Sequence, residues 1–405
     1  MLRTSLLKGL AILCAAPLIA TAQDSAITFE QVWVESTGGG IYGGVQTDDA
    51  LLFAAGEDGV VRALDKATGK EKWRAKVEAP IGSAVAADDQ RIYFHTRDGI
   101  VHAHDKNNGK PLWSFKTEGE RKWDSWDYYL STPAVDDRQV YFGSGDHHVY
   151  ALNKRTGDLR WKVQTGNIVH SRPVISGEKI IAGSYDGKLY AIDRGTGRTL
   201  WTFKTVGTAY FRNGELSGTA TVKDGLVYTG GRDYNIYALL EDTGTGAWND
   251  RTPSWIIGAP LVVDDELIVV NSDGAGVFSY NRSSGQLNWE TKTSFNMFAG
   301  AKPIGSSHLA VPGLDGRITV LSRADGSTDG IYETDASRSE RDTFFNPDGT
   351  NNYSGVTTME DFIDWYDRLL RGMGGIAGNI VVEGDIIFYA TAGGEIAAVR
   401  AIGID

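Results

Sequence analysis

Residues 89–113 read Asp89-Gln-Arg-Ile-Tyr-Phe-His-Thr-Arg-Asp-Gly-Ile-Val-His-Ala-His-Asp-Lys-Asn-Asn-Gly-Lys-Pro-Leu-Trp113. A short apolar run meets an Asp-Gly turn. A second run follows, then an Asp-x-x-x-Gly turn, then a tryptophan four residues past that glycine. Runs rich in Ile, Val, Tyr and Phe, punctuated by Asp and Gly, are hairpin strands.

The same grammar recurs along the chain. Gly69/Trp73, Gly109/Trp113, Gly157/Trp161, Gly197/Trp201, Gly244/Trp248 and Gly285/Trp289 all keep the spacing of four. Four residues before each glycine stand Asp65, Asp105, Asn153, Asp193, Leu240 and Asn281. All but Leu240 carry a side-chain oxygen that can cap the turn. A seventh unit, around Asp315, Gly316 and Gly326, keeps the turns without the tryptophan. An eighth, 380–405, ends before its tryptophan, and Phe29-Glu-Gln-Val-Trp33-Val-Glu35 reads as its displaced last strand. Ends that complete one another describe a ring. One more short strand precedes each hairpin, as at Thr132-Pro-Ala-Val and Arg172-Pro-Val-Ile. Four strands in a period of about 42 residues predict a blade. The expected fold is therefore all-β. It is an eight-bladed β-propeller over 23–405, closed by its two ends, with a helical insertion at 335–375 between blades 7 and 8 lying over one face.

Composition agrees. With 41% hydrophobic residues and 50 glycines placed at turns, the chain of 405 residues is folded rather than disordered. A net charge of −12 argues against a nucleic-acid partner. The single cysteine, Cys14, excludes an intrachain disulfide, a Cys-rich zinc site and a haem-attachment motif. Residues 1–22 read as a signal peptide: Arg3 and Lys8, an apolar run from Leu10, and Ala20-Thr21-Ala22 before a cut at Gln23. Its removal takes the net charge from −12 to −14. Leu13 before Cys14 is too large for a lipobox, so no lipid anchor is expected. The mature chain is expected to be a periplasmic or secreted monomer without a transmembrane segment.

Tyr150-Ala-Leu-Asn-Lys-Arg-Thr-Gly-Asp-Leu-Arg-Trp161 and Tyr190-Ala-Ile-Asp-Arg-Gly-Thr-Gly-Arg-Thr-Leu-Trp201 resemble the repeat of quinoprotein-type (PQQ-like) propellers. The resemblance covers essentially the whole mature chain and implies that the repeat tryptophans pack between blades. Members of that family include quinone-dependent dehydrogenases, sensor ectodomains and the propeller subunit of the outer-membrane-protein assembly (Bam) machinery. The resemblance thus implies one of two functions. One is a non-catalytic scaffold that binds a protein partner, as the Bam subunit does. The other is a soluble alcohol or sugar oxidoreductase holding PQQ and calcium. The mature chain lacks the adjacent-cysteine ring and the haem domain of many such enzymes, which favours the scaffold.

Connections between blades locate the site. Three are short, ten residues from Trp33 to Gly43, Trp73 to Ser83 and Trp161 to Ser171. Three are long: 18 residues from Trp113 to Ser131, 17 from Trp201 to Gly218 and 45 from Tyr332 to Ala377. In an up-and-down blade all of these emerge on one face. Candidate binding residues there are Trp126 and Tyr128 of the first long loop, Arg212 and Glu215 of the second, and His170, Arg172 and Lys302 at the starts of inner strands. The aromatics either cover the blades or form a stacking wall. The cations either balance Asp124, Asp127 and Glu215 or hold a small anionic ligand.

In the third insertion, Thr357 and Glu360 have capping-box spacing, and apolar residues from Met359 to Met373 recur with helical period. Upstream, Asn352, Ser354 and Asp361 stand at the oxygen positions of a degenerate EF-hand loop, with Thr350 in place of the first Asp. That segment is either a calcium loop or a turn into a capped helix. His95, His102 and His104 of one hairpin are expected to pack rather than bind metal.

Overall fold

The computed structural model describes residues 27–404, so the signal-peptide reading and Cys14 lie outside the described residues. Among these residues are eight four-stranded antiparallel sheets, seven of them with their strands in sequence order from the axis outward, here A to D. Blades 1 to 7 occupy 45–76, 86–116, 134–164, 174–204, 221–251, 261–292 and 302–333. Blade 8 takes 381–402 for its inner strands and Thr28–Ser36 for strand D. The chain is an eight-bladed β-propeller.

Burial explains the sequence texture. B and C strands are sandwiched between neighbouring blades, so both their faces are buried and their sequences run apolar: Leu51–Ala55 and Val60–Asp65 are typical. D strands form the rim and alternate, as Glu71–Lys76 does.

Blades are joined by a repeated contact. Trp73 of blade 1 lies flat over Gly109 in the C–D turn of blade 2, and a Cβ at Gly109 would sit 2.5 Å from the indole. That glycine also has φ +72°, which closes the turn. The indole Nε1 donates to the carbonyl of Lys106 at 3.0 Å. Trp113, Trp161, Trp201, Trp248 and Trp289 repeat the bond to Lys154, Arg194, Glu241, Arg282 and Arg323 at 2.8–3.0 Å. Side chains of several acceptor residues reach back to A–B turns of the preceding blade, as in Lys106–Asp48 and Lys154–Asp88. One residue thus makes two contacts with the preceding blade, through its carbonyl and through its side chain.

Trp33 fills the same slot in blade 8. It pairs in register with Ala398 as Trp73 does with Ala63, covers Gly69 and donates to the Lys66 carbonyl at 3.0 Å. Only the seam between blades 7 and 8 differs among the described residues, and its geometry accounts for the missing tryptophan. Blade 8 takes its D strand from the other end of the chain, so it has no C–D turn and no glycine to receive an indole. Gly330 occupies the slot, and the buried Ile27 packs on it, its N–H donating to the Asp329 carbonyl at 3.0 Å.

The helical insertion holds two helices, α1 (Asp335–Phe344) and α2 (Met359–Gly372). The periodicity predicted α2 alone. Its cap lies one residue later than the Thr357/Glu360 spacing suggested: Thr358 accepts from the N–H of Asp361, and the Asp361 carboxylate accepts from that of Thr358.

Two outcomes are expected. Deleting residues 28–36 bares the edge of Glu395–Ile402 and removes Trp33, so size-exclusion chromatography should show aggregation and melting should lose its single transition. Trp161→Ala should cost about 3–5 kcal/mol in denaturant unfolding through the cavity left between blades 3 and 4. Gly197→Ala should also destabilise, since its Cβ would meet the same indole at 2.8 Å.

Candidate functional site on the long-connection face

Every connection between blades leaves a rim strand and returns to the axis on the face that carries the B–C turns. The long ones, 117–133, 205–220 and 334–380, therefore converge. Tyr42 stacks on Tyr128 at 5.3 Å, and Tyr128 meets Phe298 at 6.0 Å. Phe298 meets Trp255 at 6.1 Å, and Trp255 stacks on Phe211 at 5.6 Å. Tyr128 follows blade 2 and Phe298 follows blade 6, four blades apart on a ring of eight, so these rings touch across the axis. The Tyr129 hydroxyl donates to the Ala377 carbonyl at 2.7 Å, tying in the last connection. The mouth of the channel is spanned by an aromatic plug.

Helix α2 lies against this plug. Trp365, Tyr366, Leu369 and Leu370 form its buried stripe, and Trp126 sets its ring edge-on to Tyr366 at 4.8 Å. Trp126 is half-buried and Tyr128 is 7% exposed, so both act from within the cover.

Beneath it runs a buried ionic network. His170 Nδ1 is 2.8 Å from Asp127, whose carboxylate also accepts from the Tyr185 hydroxyl and the Trp123 N–H. His170 Nε2 faces Glu120 at 3.5 Å. Burial would lower the imidazole pKa, but the two carboxylates outweigh it and push it up to about 9. His170 thereby fastens the first long loop to blade 4.

Sequence reasoning missed Arg232. It is 1% exposed, pairs with Asp124, and lies over the Trp255 ring at 4.5 Å. Its signal was positional: Arg232 precedes the turn Asp of blade 5, and the residues in that slot, such as Arg97 and Tyr185, point onto this face. Beside it Tyr234 takes φ +73° where blades 1, 2 and 4 have glycine. That backbone costs on the order of 1 kcal/mol, and the ring rests edge-on against Phe211.

The remaining sequence-selected residues separate. Glu215 is buried beside Arg232, not paired with Arg212; burial raises its carboxyl, and its Oε2 has no hydrogen-bond partner. Arg212 is exposed. Arg172 is exposed and Lys302 half-buried, and neither forms an ion pair among the described residues. Asn352 Oδ1 accepts from the Ser354 N–H, and Asp361 accepts from the N–H groups of Thr357 and Thr358, which hold its carboxyl near 2. Both therefore serve the turn and the helix cap. His102 and His104 pack around Phe94, and burial lowers both. Among the described residues no group of three His, Cys, Asp or Glu side chains is placed to hold a metal ion. The mouth does not fit a quinone with calcium: aromatic rings occupy the axis, and the unpartnered carboxylate there, Glu215, faces Arg232.

Among the described residues no helix is long and apolar enough to cross a membrane. No curated protein sequence matches the chain. Among solved structures, BamB from Moraxella catarrhalis is similar, with 18% identity and a TM-score of 0.68 over 92% of this chain and 98% of that one. The computationally designed Ika8 protein is similar at 15% identity and a TM-score of 0.66, over 90% and 98% of the two chains. At such identities the likeness shows the fold alone. The family model described as outer membrane protein assembly factor BamB matches residues 25–123, 116–213 and 205–348, most of the chain. By that match, the chain belongs to the BamB family of PQQ-repeat propellers.

Proposed function

We propose that this chain is a non-catalytic periplasmic scaffold in outer-membrane protein assembly, delivered by residues 1–22, and that it presents its long-connection face to a protein partner. Family membership supports the assembly role. The observation that carries the choice of face is a set of exposed apolar side chains on braced loops. Val206 and Tyr210 are each 75% exposed, and Trp123 is 39% exposed. Tyr210 leans edge-on against Phe211, which is stacked on Trp255 in the plug. Trp123 packs on Tyr185. Aromatic side chains braced in this way lose little conformational freedom on binding, which is what an interface anchor requires. Arg212 stands exposed beside them.

The opposite face offers less. Its C–D turns are short and uniform, and several of its charges are used in pairs between blades.

The test is co-purification of outer-membrane assembly components from the envelope with a tagged chain. Tyr210→Ala should weaken retention by about 2 kcal/mol, on the order of thirtyfold. Arg198→Ala, on the other face, should leave it unchanged. Retention that survives Tyr210→Ala and Trp123→Ala but falls with Arg198→Ala would reverse the assignment. A second check addresses the oxidoreductase reading: the purified chain with added PQQ and calcium should show no dye-linked alcohol oxidation.

A further inference from the structure

The first long connection, 117–133, is tied by its backbone only near its ends. The Thr117 N–H donates to the Gly99 carbonyl at 2.9 Å, and the Leu130 N–H donates to the Gly82 carbonyl at 3.0 Å. Between them, among the described residues, the one backbone–backbone hydrogen bond is internal, from the Asp127 N–H to the Asp124 carbonyl at 3.3 Å. Side chains hold the rest, and two carboxylates of this loop grip one imidazole from the connection between blades 3 and 4. Asp127 lies 2.8 Å from His170 Nδ1 and Glu120 lies 3.5 Å from Nε2. The three side chains are at most 3% exposed.

Both carboxylates have fixed backing. Glu120 accepts from the Gly145 N–H of blade 3 at 2.9 Å. Asp127 accepts from the Tyr185 hydroxyl of blade 4 at 3.0 Å and from the Trp123 N–H at 2.8 Å. Trp123 is the exposed aromatic of this loop, so the carboxylate that binds His170 also sets the backbone beneath it. Arg232, over the Tyr185 ring, is committed to Asp124. The other titratable group against the cluster is His95 of blade 2, with Asp98 and Asp146 beyond it. Burial lowers His95, and neither of its ring nitrogens has a hydrogen-bond partner among the described residues, so it is neutral where His170 is charged.

Carboxylates buried to this degree need a counter-charge, and a neutral imidazole supplies none. Burial would lower His170, yet Asp127 and Glu120 raise it from 6.5 to about 9. A proton bound more tightly in the closed loop than in the open one stabilises the closed loop. That stabilisation is complete below pH 6.5 and is lost as the pH rises through about 9. Tyr185 is raised well above 10 by burial and stays a donor through that window. We propose that the first long loop is a latched strap on the docking face, closed by the charge His170 places between Asp127 and Glu120 and released when that charge is lost. Its bearing on docking rests on the function proposed above, whereas the latch itself is a property of the chain alone.

Limited trypsin digestion of the whole chain reads the latch at Arg121 and Lys122, both exposed in the loop. Fragment masses report cleavage there, and a short unstructured peptide digested alongside corrects for the protease's own pH response. From about pH 7 to about pH 10, cleavage should rise by more than about tenfold with a midpoint near 9, while circular dichroism shows the blades intact. Glu120→Gln should move the midpoint down, because one of the two carboxylates that raise it is gone. His170→Gln should be cleaved fast at every pH, with no midpoint. A flat profile in the parent, an unmoved midpoint in Glu120→Gln, or a pH-dependent rise kept by folded His170→Gln would each overturn the latch. Should His170→Gln not fold, the midpoint of Glu120→Gln still decides. Retention of envelope partners should fall in His170→Gln at neutral pH. If its loop opens and retention is unchanged, the latch stands and the docking reading fails.

Discussion

An indole lying flat on a glycine of the next blade is the contact on which this ring depends. The glycine meets two demands at once. It must adopt a positive φ to close the C–D turn, and it must present no Cβ to the tryptophan above it. The indole in turn buries its apolar face and satisfies its one polar atom with a carbonyl from the same turn. Neither partner can change without the other, and each blade is positioned by its neighbour. That accounts for a spacing of four that persists while the residues between vary.

This coupling also explains what was legible in the sequence. Strands, turns and ring closure rest on local, repeated signals, and Trp33 announces itself as a displaced member of the series. The tryptophan missing from blade 7 was visible as an absence, but its cause was not. It lies in a contact between Ile27 and Gly330, which are remote in sequence. Helix α1 buries only Ser337 and Phe344, so it leaves no apolar stripe to read. The cap of α2 was misplaced by one residue because Thr357 and Thr358 are adjacent and Asp361 serves as well as a glutamate. Arg232 was hidden because it sits in a turn that looks like all the others. Charge pairing was legible only as a set of alternatives: Asp127 takes His170 and Asp124 takes Arg232, which leaves Arg172 and Lys302 over.

The plug changes what the fold offers. An open propeller has one axial channel reached from two sides. Here rings contributed by opposite connections meet over the axis, and α2 with its aromatic stripe adds a layer. One side becomes a continuous surface whose outermost side chains are braced from beneath, suited to contact with a macromolecule. The other side alone gives access to the interior.

The pairing of Thr28–Ser36 with Glu395–Ile402 sets the order in which this protein can be completed. The strand synthesised first is used last. Until residue 402 arrives, blade 8 has no outer strand, and the early strand has no partner. Closing a loop of that length is slow compared with forming any single blade, because its entropy is lost before any contact repays it. A nascent chain of this design therefore spends its assembly time as an open arc with two adhesive ends. It is at that stage, rather than in the finished ring, that the chain is most in need of a chaperone.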